Sequence, residues 1–247
     1  MNKIVKRILI AVGILIVIIA IGIFGFVMKM KSQMKGMKPI KTEKIVGNIY
    51  TIKDSFVNFF LIKDSNQYIL VDAGMNLKSV KKGLKKLIID PENVTAIFLT
   101  HTDRDHVAGI SLFTNAKVYL AQKEVAMING EKSKFLFMGN SINTKEYTTL
   151  EDQEIVTIGK TKIQGILTPG HTTGSMCYII NDSCLFTGDA ISLESGKIAK
   201  PNEFFTMDNP LAKASISKII ALPKVTEIFT SHTSYSLDYK YAVKDWK

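Results

Sequence analysis

Residues 97–106 read "IFLTHTDRDH". An apolar run ends in a threonine, and the six residues that follow include His101, Asp103, Asp105 and His106. Imidazole and carboxylate groups with no thiolate among them suit zinc, iron or manganese. Sites that mix histidine with aspartate and leave room for water are more often catalytic than structural. The stretch therefore indicates part of a catalytic metal site at the end of a buried strand.

Three other segments end in the same way, with an apolar strand that runs into a threonine and then a histidine or an aspartate. They are "GILTPGH" at 165–171, "CLFTGD" at 184–189 and "EIFTSH" at 227–232. The chain has four histidines, and every one of them lies in or beside such an ending. Ligands of open α/β sheets bind beyond the carboxyl ends of the strands. We therefore expect the four strand endings to converge on one site.

The motifs "THTDRDH", "TPGHTTGS", "FTGDA" and "TSH" follow one another in that order. Together they resemble the metallo-β-lactamase-fold hydrolases, whose signature is Thr-His-x-His-x-Asp-His, then Gly-His, Gly-Asp and a late His. The early "LVDAG" resembles the Asp-x-Gly turn of the same family, and the resemblance covers roughly residues 45–235. It implies an α/β protein with a four-layer αββα sandwich and a dinuclear metal site.

The resemblance assigns two divalent ions to this site, zinc in the first place and iron or manganese as alternatives. The first ion would be held by His101, Asp103 and His171, the second by Asp105, His106 and His232, and Asp189 would bridge them. Asp105 is also the implied catalytic residue, which orients the attacking water and relays its proton. Asp72 would either support the ligands from behind or cap a turn.

Asp103 departs from the signature, which has a histidine at this position. With two divalent ions and one hydroxide, the three aspartates make the site neutral, whereas a histidine would leave one positive charge. A less positive site favours harder metals such as iron or manganese, and the flavodiiron relatives carry a carboxylate here. The alternative is that Asp103 is not a ligand and that only one metal binds.

Residues 8–28, "ILIAVGILIVIIAIGIFGFVM", contain no charged residue. A helix of this length would be roughly 31 Å long, which matches the hydrocarbon core of about 30 Å. The apolar run is longer than that of a signal peptide, and no small-residue cleavage site follows it. We expect an N-terminal anchor (1–28) that crosses the cell membrane once, a basic linker (29–44) and one catalytic domain (45–247). Lysines on both sides of the span leave the orientation open.

The net charge of +10 belongs largely to the N-terminus, since residues 1–38 hold seven Lys or Arg and no acidic residue. The rest of the chain has 25 basic and 22 acidic residues, so we expect no nucleic-acid partner.

Strand and helix patterns alternate after residue 43. Strands are predicted at 43–52, 56–62, 67–74, 94–100, 117–120, 154–159, 162–167, 176–180, 184–188 and 225–231. Helices are predicted at 76–89, 105–113, 121–128 and 211–222. The loops 130–150 and 192–209 would line the substrate pocket, with Phe135, Phe137, Phe204 and Phe205 as pocket walls or as ordinary core residues.

The implied function is that of a membrane-anchored hydrolase that uses a metal-bound hydroxide on a small molecule. The bond would be an ester, thioester, lactone, β-lactam or phosphodiester. Asp189 stands where many true β-lactamases have a cysteine, so we do not expect one of those enzymes. Glyoxalase II-like members carry a C-terminal helical extension for glutathione, whereas 15 residues follow His232, so we do not expect that class either. Two alternatives stay open: an iron-dependent redox enzyme of the same fold, and a non-catalytic metal-binding module.

Overall fold

The computed structural model describes residues 2–135, 139–144 and 146–246, and the chain forms two compact units, Met1–Gly36 and Met37–Lys247. The first unit is a single helix, α1 (Lys3–Met34), whose first turn is capped by the side chain of Asn2. An 18-residue window of α1 has a mean hydropathy of 3.2, and the helix is long and apolar enough to cross a membrane, a test that a signal sequence also passes. The helix continues beyond the predicted span, into residues that were expected to form the linker.

The second unit contains two large sheets. The strands of the first sheet, in spatial order, are β1 (Glu43–Val46), β2 (Ile49–Asp54), β3 (Val57–Asp64), β4 (Gln67–Val71), β5 (Val94–Phe98), β6 (Lys117–Ala121) and β7 (Thr148–Leu150). The second sheet contains β8 (Ile155–Ile158), β9 (Thr161–Leu167), β10 (Met176–Ile180), β11 (Cys184–Phe186), β14 (Glu227–Phe229) and β15 (Tyr235–Ser236), in the order β15-β14-β11-β10-β9-β8. A separate hairpin joins β12 (Leu193–Glu194) to β13 (Lys197–Ile198).

The helices of this unit are α2 (Leu77–Leu87), α3 (Arg104–Val107), α4 (Val125–Ile128), α5 (Asn209–Ile220) and α6 (Tyr239–Val243). One core lies between the two sheets, a second between the first sheet and α2, and a third between the second sheet and α5 and α6. The layers are therefore helix, sheet, sheet and helix, as predicted.

Strand β3 shows how the sequence builds two cores at once. Successive side chains of a strand point to opposite faces of the sheet. Phe60 and Ile62 enter the core between the sheets, whereas Phe59 and Leu61 enter the core under α2. The unbroken apolar run "FFLI" at 59–62 is typical of a strand that is buried on both faces.

Two predicted elements are wrong in their boundaries. The single strand predicted at 43–52 is divided into β1 and β2 by a turn at Gly47, whose φ of 51° suits glycine. The helix predicted at 105–113 is only the short α3, followed by a 3-10 turn over Ile110–Leu112. It is interrupted at Gly109, which packs so closely on the backbone of Ala73 that a Cβ would lie 2.0 Å from the carbonyl oxygen.

The short strands β7, β12 and β13 fall inside the two segments that were predicted as loops. Each has only two or three residues, which is too few for an alternating pattern to be recognised. The strand β7 pairs in parallel with β6 and so extends the first sheet by one edge strand. The loops predicted at 130–150 and 192–209 are therefore shorter than expected.

The site residues follow the carboxyl ends of β5, β9, β11 and β14. Within the second sheet these ends share one direction, because β9 and β11 are both antiparallel to β10 and β11 is parallel to β14. The two sheets are joined at this edge by Met176, whose backbone N–H donates to Thr100 O at 2.8 Å. Gly188 passes Thr100 so closely that a Cβ would lie 2.4 Å from its hydroxyl oxygen. The four endings therefore meet in one place.

Lys38 and Ile40, which precede β1 at the start of the second unit, are hydrogen-bonded to later residues of the same unit. The backbone N–H of Lys38 donates to His232 O at 2.8 Å, and the side chain of Asn58 pairs with the N–H and the carbonyl of Ile40 at 2.8 and 2.9 Å. A chain that starts at Met37 keeps these bonds, and we expect it to be soluble and folded. A matched chain that starts at Glu43 should unfold at lower urea, with about 2 kcal/mol less stability, since a hydrogen bond contributes about 0.5–1.5 kcal/mol.

Gel filtration and urea unfolding followed by circular dichroism measure both effects. If the chain that starts at Met37 aggregates while the full chain in detergent is folded, the division between the two units is wrong.

Candidate metal centre

The structure brings all of the predicted ligand side chains together at one edge of the sandwich. Ligand atoms lie within 4.8 Å of one another in three overlapping groups: His101, Asp103 and His171; His101, His106 and Asp189; and Asp105, His106 and His232. We call the first of these groups the first subsite and the last the second subsite. They coincide with the two ligand sets that the resemblance implied.

Asp189 lies between the two subsites. Its Oδ1 is 3.3 Å from Nε2 of His106, and its Oδ2 is 3.1 Å from Nε2 of His232 and 3.3 Å from Nε2 of His171. The carboxylate therefore contacts histidines of both subsites, which is the position expected of a bridging ligand.

Each subsite has a carboxylate of its own. In the first, Asp103 Oδ2 is 3.4 Å from Nε2 of His101 and 3.2 Å from Nε2 of His171. In the second, Asp105 Oδ2 is 3.6 Å from Nε2 of His106 and 3.4 Å from Nε2 of His232. The seven side chains thus present their Nε2 and carboxylate oxygen atoms to a common centre.

Hydrogen bonds behind three of the rings determine which nitrogen carries the proton. Asp72 accepts from the backbone N–H and the hydroxyl of Thr100, so the hydroxyl oxygen is left to accept from Nδ1 of His101 at 3.0 Å. Asp72 Oδ2 also accepts from Nδ1 of His106 at 2.8 Å. Nδ1 of His232 donates to the carbonyl of Phe56 at 2.8 Å. The Nε2 lone pairs therefore face the cluster.

Asp72 performs both of the tasks between which the sequence left a choice. It accepts the backbone N–H of Thr100, and it holds His106 from behind. Its φ of 63° places its backbone in the left-handed region just after β4.

The cluster fits a divalent cation. Lone pairs of Nε2 face carboxylate oxygens, a repulsive arrangement that either protons or a cation must relieve. Nε2 of His101, Nε2 of His106 and Oδ1 of Asp189 are buried and have no hydrogen-bond partner in the part of the chain that the structure describes. A buried polar group left in this way costs about 1–3 kcal/mol. Imidazole and carboxylate donors of this number suit zinc, iron or manganese.

Local electrostatics place opposite charges side by side. Burial opposes the ionisation of Asp189, but His232, His106 and His171 outweigh it and hold the pKa of this carboxyl well below its usual range. Burial likewise opposes the protonation of His106, yet Asp189, Asp72 and Asp105 raise its pKa well above the usual value. A metal ion would therefore compete with protons for the same nitrogen atoms.

The first subsite contains two residues that the sequence did not reveal. The ammonium of Lys134 contacts Asp103 Oδ2 and lies 2.9 Å from Nε2 of His171, while Asn140 Nδ2 donates to Asp103 Oδ1 at 3.0 Å. Burial, followed by the charge of Lys134, lowers the pKa of His171 to about 4, so its ring is neutral at neutral pH. Both residues belong to the loop that was predicted to line the pocket, but no motif marked them.

Three of the four phenylalanines proposed as pocket walls lie near one another. The rings of Phe135 and Phe204 have centroids 6.1 Å apart, and those of Phe204 and Phe205 are 5.0 Å apart. Phe137 lies outside the described residues. The two loops thus approach each other beside the first subsite.

A third residue that the sequence did not reveal is Glu124, which is fully buried. Its Oε1 accepts from the backbone N–H and the hydroxyl of Thr102 at 2.8 and 2.7 Å. Its Oε2 accepts from the hydroxyl of Thr172 at 2.6 Å and from the N–H of Gly174 at 3.0 Å. One carboxylate therefore fastens the loop after β5 to the loop after β9.

Comparison with known proteins agrees with this geometry. Residues 52–232 match the profile of the Metallo-beta-lactamase superfamily. The chain belongs to this superfamily. The match begins in β2 and ends at His232, so it includes every strand ending that supplies the site.

Two curated members of the superfamily illustrate the range of relatives. The chain is 32% identical over 140 residues to the probable polyketide biosynthesis zinc-dependent hydrolase PksB of Bacillus subtilis (strain 168). The aligned region covers 55% of each protein. It is 30% identical over 190 residues to a hydroxyacylglutathione hydrolase of Buchnera aphidicola subsp. Schizaphis graminum, covering 76% of this chain and 66% of that protein. The chain thus spans about half to two thirds of the length of these relatives.

Solved structures confirm the superfamily fold. A B3 metallo-beta-lactamase described as having an active site glutamic acid superposes with a TM-score of 0.64 at 19% identity, covering 84% of this chain and 86% of that one. The BLEG-1 B3 metallo-beta-lactamase gives a TM-score of 0.60 at 25% identity, covering 76% and 93%.

Proposed function

We propose that the chain is a zinc-dependent hydrolase, anchored in a membrane by α1, that cleaves the acyl bond of a small thioester or ester. One observation carries the proposal: the Nε2 lone pairs of three hydrogen-bonded histidines are turned toward carboxylates at a single centre. The names of two relatives, a zinc-dependent hydrolase and a hydroxyacylglutathione hydrolase, support zinc and a thioester. The membrane anchor rests on the length and composition of α1.

The two subsites and Asp189 would hold the metal. When bound there, a divalent ion lowers the pKa of a coordinated water from 15.7 toward about 7 and polarises the scissile carbonyl. Asp72 and the carbonyl of Phe56 keep the rings of His106 and His232 in the tautomer that can serve as a ligand.

Asp105 is the residue we assign to proton transfer. Its side chain is 19% exposed, whereas that of its neighbour His106 is fully buried, so Asp105 stands on the accessible side of the cluster. One carboxylate oxygen faces His106 and His232, and a carboxylate has a second oxygen that can accept a proton from water. The water oxygen attacks the acyl carbon, the carbon–sulfur bond breaks, and Asp105 returns the proton to the departing thiolate.

Zinc removal and restoration test this proposal on the full chain in detergent. We expect hydrolysis of a simple acyl thioester to disappear after chelation, to return with added zinc, and to exceed hydrolysis of a lactone, a β-lactam and a phosphodiester. Asp105→Asn should lose about 10²–10⁴-fold in kcat, the usual contribution of a positioned acid or base. Asp90→Asn, which removes a carboxylate remote from the site, should be unchanged.

Other outcomes would favour the alternatives. Bound metal with no hydrolysis of any substrate in the panel would indicate a binding module. Bound iron together with consumption of dioxygen would indicate a redox enzyme.

A further inference from the structure

Lys134 places a buried positive charge inside the first subsite. Its side chain is only 7% exposed, and lysine is almost never buried to this extent unless it is paired. The ammonium contacts Asp103 Oδ2 and lies 2.9 Å from Nε2 of His171. Both of these residues are ligands of the first subsite, so Lys134 stands where a metal ion would have to bind them.

Two of the three ligands of the first subsite, Asp103 and His171, are already paired within the protein. Asp103 Oδ2 accepts from Lys134 and Asp103 Oδ1 accepts from Asn140. Because Lys134 can only donate, Nε2 of His171 uses its lone pair to accept from the ammonium. Within the described residues, three buried atoms of the cluster have no hydrogen-bond partner: Nε2 of His101, the third ligand of the first subsite, Nε2 of His106 and Oδ1 of Asp189.

The charges of the two subsites therefore differ. The negative charge of Asp103 is balanced by Lys134, whereas Asp105 and Asp189 have no lysine or arginine partner among the ion pairs of residues 2–135, 139–144 and 146–246. A dication is attracted to the second subsite and to Asp189 by two carboxylates. At the first subsite it meets a cation that is already in place.

We propose that the Lys134 ammonium is a built-in cation of the first subsite, so that divalent ions bind in a fixed order. The second subsite fills first and tightly, and an ion enters the first subsite only by displacing Lys134. This inference rests on the proposed function only in requiring that the site binds a divalent metal. Binding of the second metal ion would also affect the loop that carries Phe135, because the displaced Lys134 side chain belongs to that loop.

Zinc titration of the full chain in detergent, after removal of metal by a chelator, tests the order of binding. Calorimetry should resolve one tightly bound and one weakly bound zinc ion per chain. The protein should retain only the tightly bound ion through gel filtration, as metal analysis would show. In Lys134→Met the weak ion should bind at least about tenfold more tightly, because the fixed charge that repels it is gone. Lys132→Met removes an exposed lysine of the same loop and should titrate like the unaltered chain.

A second set of variants tests whether the zinc ion that Lys134→Met binds more tightly lies in the first subsite, and whether each variant is folded. Adding His171→Ala to Lys134→Met should abolish the gain, since the gained ion would lose a first-subsite ligand. Lys134→Gln should shift affinity in the same direction as Lys134→Met, and circular dichroism should show that each variant is folded.

The inference is overturned if the unaltered chain binds two zinc ions with equal affinity, or if Lys134→Met titrates as the unaltered chain does. If hydrolysis still depended on zinc in either case, the proposed function would remain supported. A chain that binds no divalent ion would overturn both.

Discussion

Asp189→Ala is expected to abolish retention of metal and to lower hydrolysis at least about 10³-fold. Loss of a residue that merely orients a ligand already costs about 10–100-fold in metal affinity or activity. Asp189 contacts histidines of both subsites, through Oδ1 and Oδ2 separately. Its removal would also take away one of the two carboxylates that attract a dication to the second subsite.

Metal analysis after gel filtration and thioester hydrolysis measure this effect. Asp182→Ala is a matched control, because Asp182 lies in the turn between β10 and β11 and is paired with Lys162 at the surface. It should keep both metal and activity. An Asp189→Ala protein with unchanged metal content would refute the assignment of this residue.

Glu124→Ala is expected to lower the free energy of unfolding by about 3–5 kcal/mol, although Glu124 lies outside the cluster. Four donors of Thr102, Thr172 and Gly174 would lose their acceptor inside the protein, and a buried group left unsatisfied costs about 1–3 kcal/mol. Glu124→Gln should be intermediate, because an amide offers one acceptor oxygen where the carboxylate offers two.

Urea unfolding of the chain that starts at Met37 measures the loss. Glu131→Ala, an exposed position a few residues further on, should change stability by no more than about 0.5 kcal/mol. A Glu124→Ala protein as stable as the unaltered chain would show that the two ligand-bearing loops are held by other contacts.

The strand endings were predictable because they combine a local pattern with a general rule of topology. Each apolar strand was recognisable by its residues, and the position of ligands beyond carboxyl ends of strands follows from α/β architecture. What the sequence could not supply was the choice between the two roles of Asp72, because that choice depends on Thr100 and His106, which approach it only in the folded chain.

Lys134 and Glu124 were missed for a physical reason. Each acts on residues far away in the sequence: Lys134 reaches Asp103 across 31 positions and Glu124 reaches Thr172 across 48. Lys134 lies in an irregular loop, and Glu124 ends a 3-10 turn, so neither position has a periodicity that marks it. The charge count of the site was incomplete in consequence, since it included Asp103 without the ammonium that contacts it.

We expect this cluster to bind a divalent metal through the Nε2 atoms of its histidines. Anomalous scattering at the zinc absorption edge, from crystals of the zinc-loaded chain that starts at Met37, tests it most directly. We expect a zinc ion at about 2.0–2.2 Å from Nε2 of His106 and His232 and from a carboxylate oxygen of Asp105 or Asp189. Zinc bound elsewhere on the chain, with no anomalous peak within bonding distance of these four residues, would contradict it.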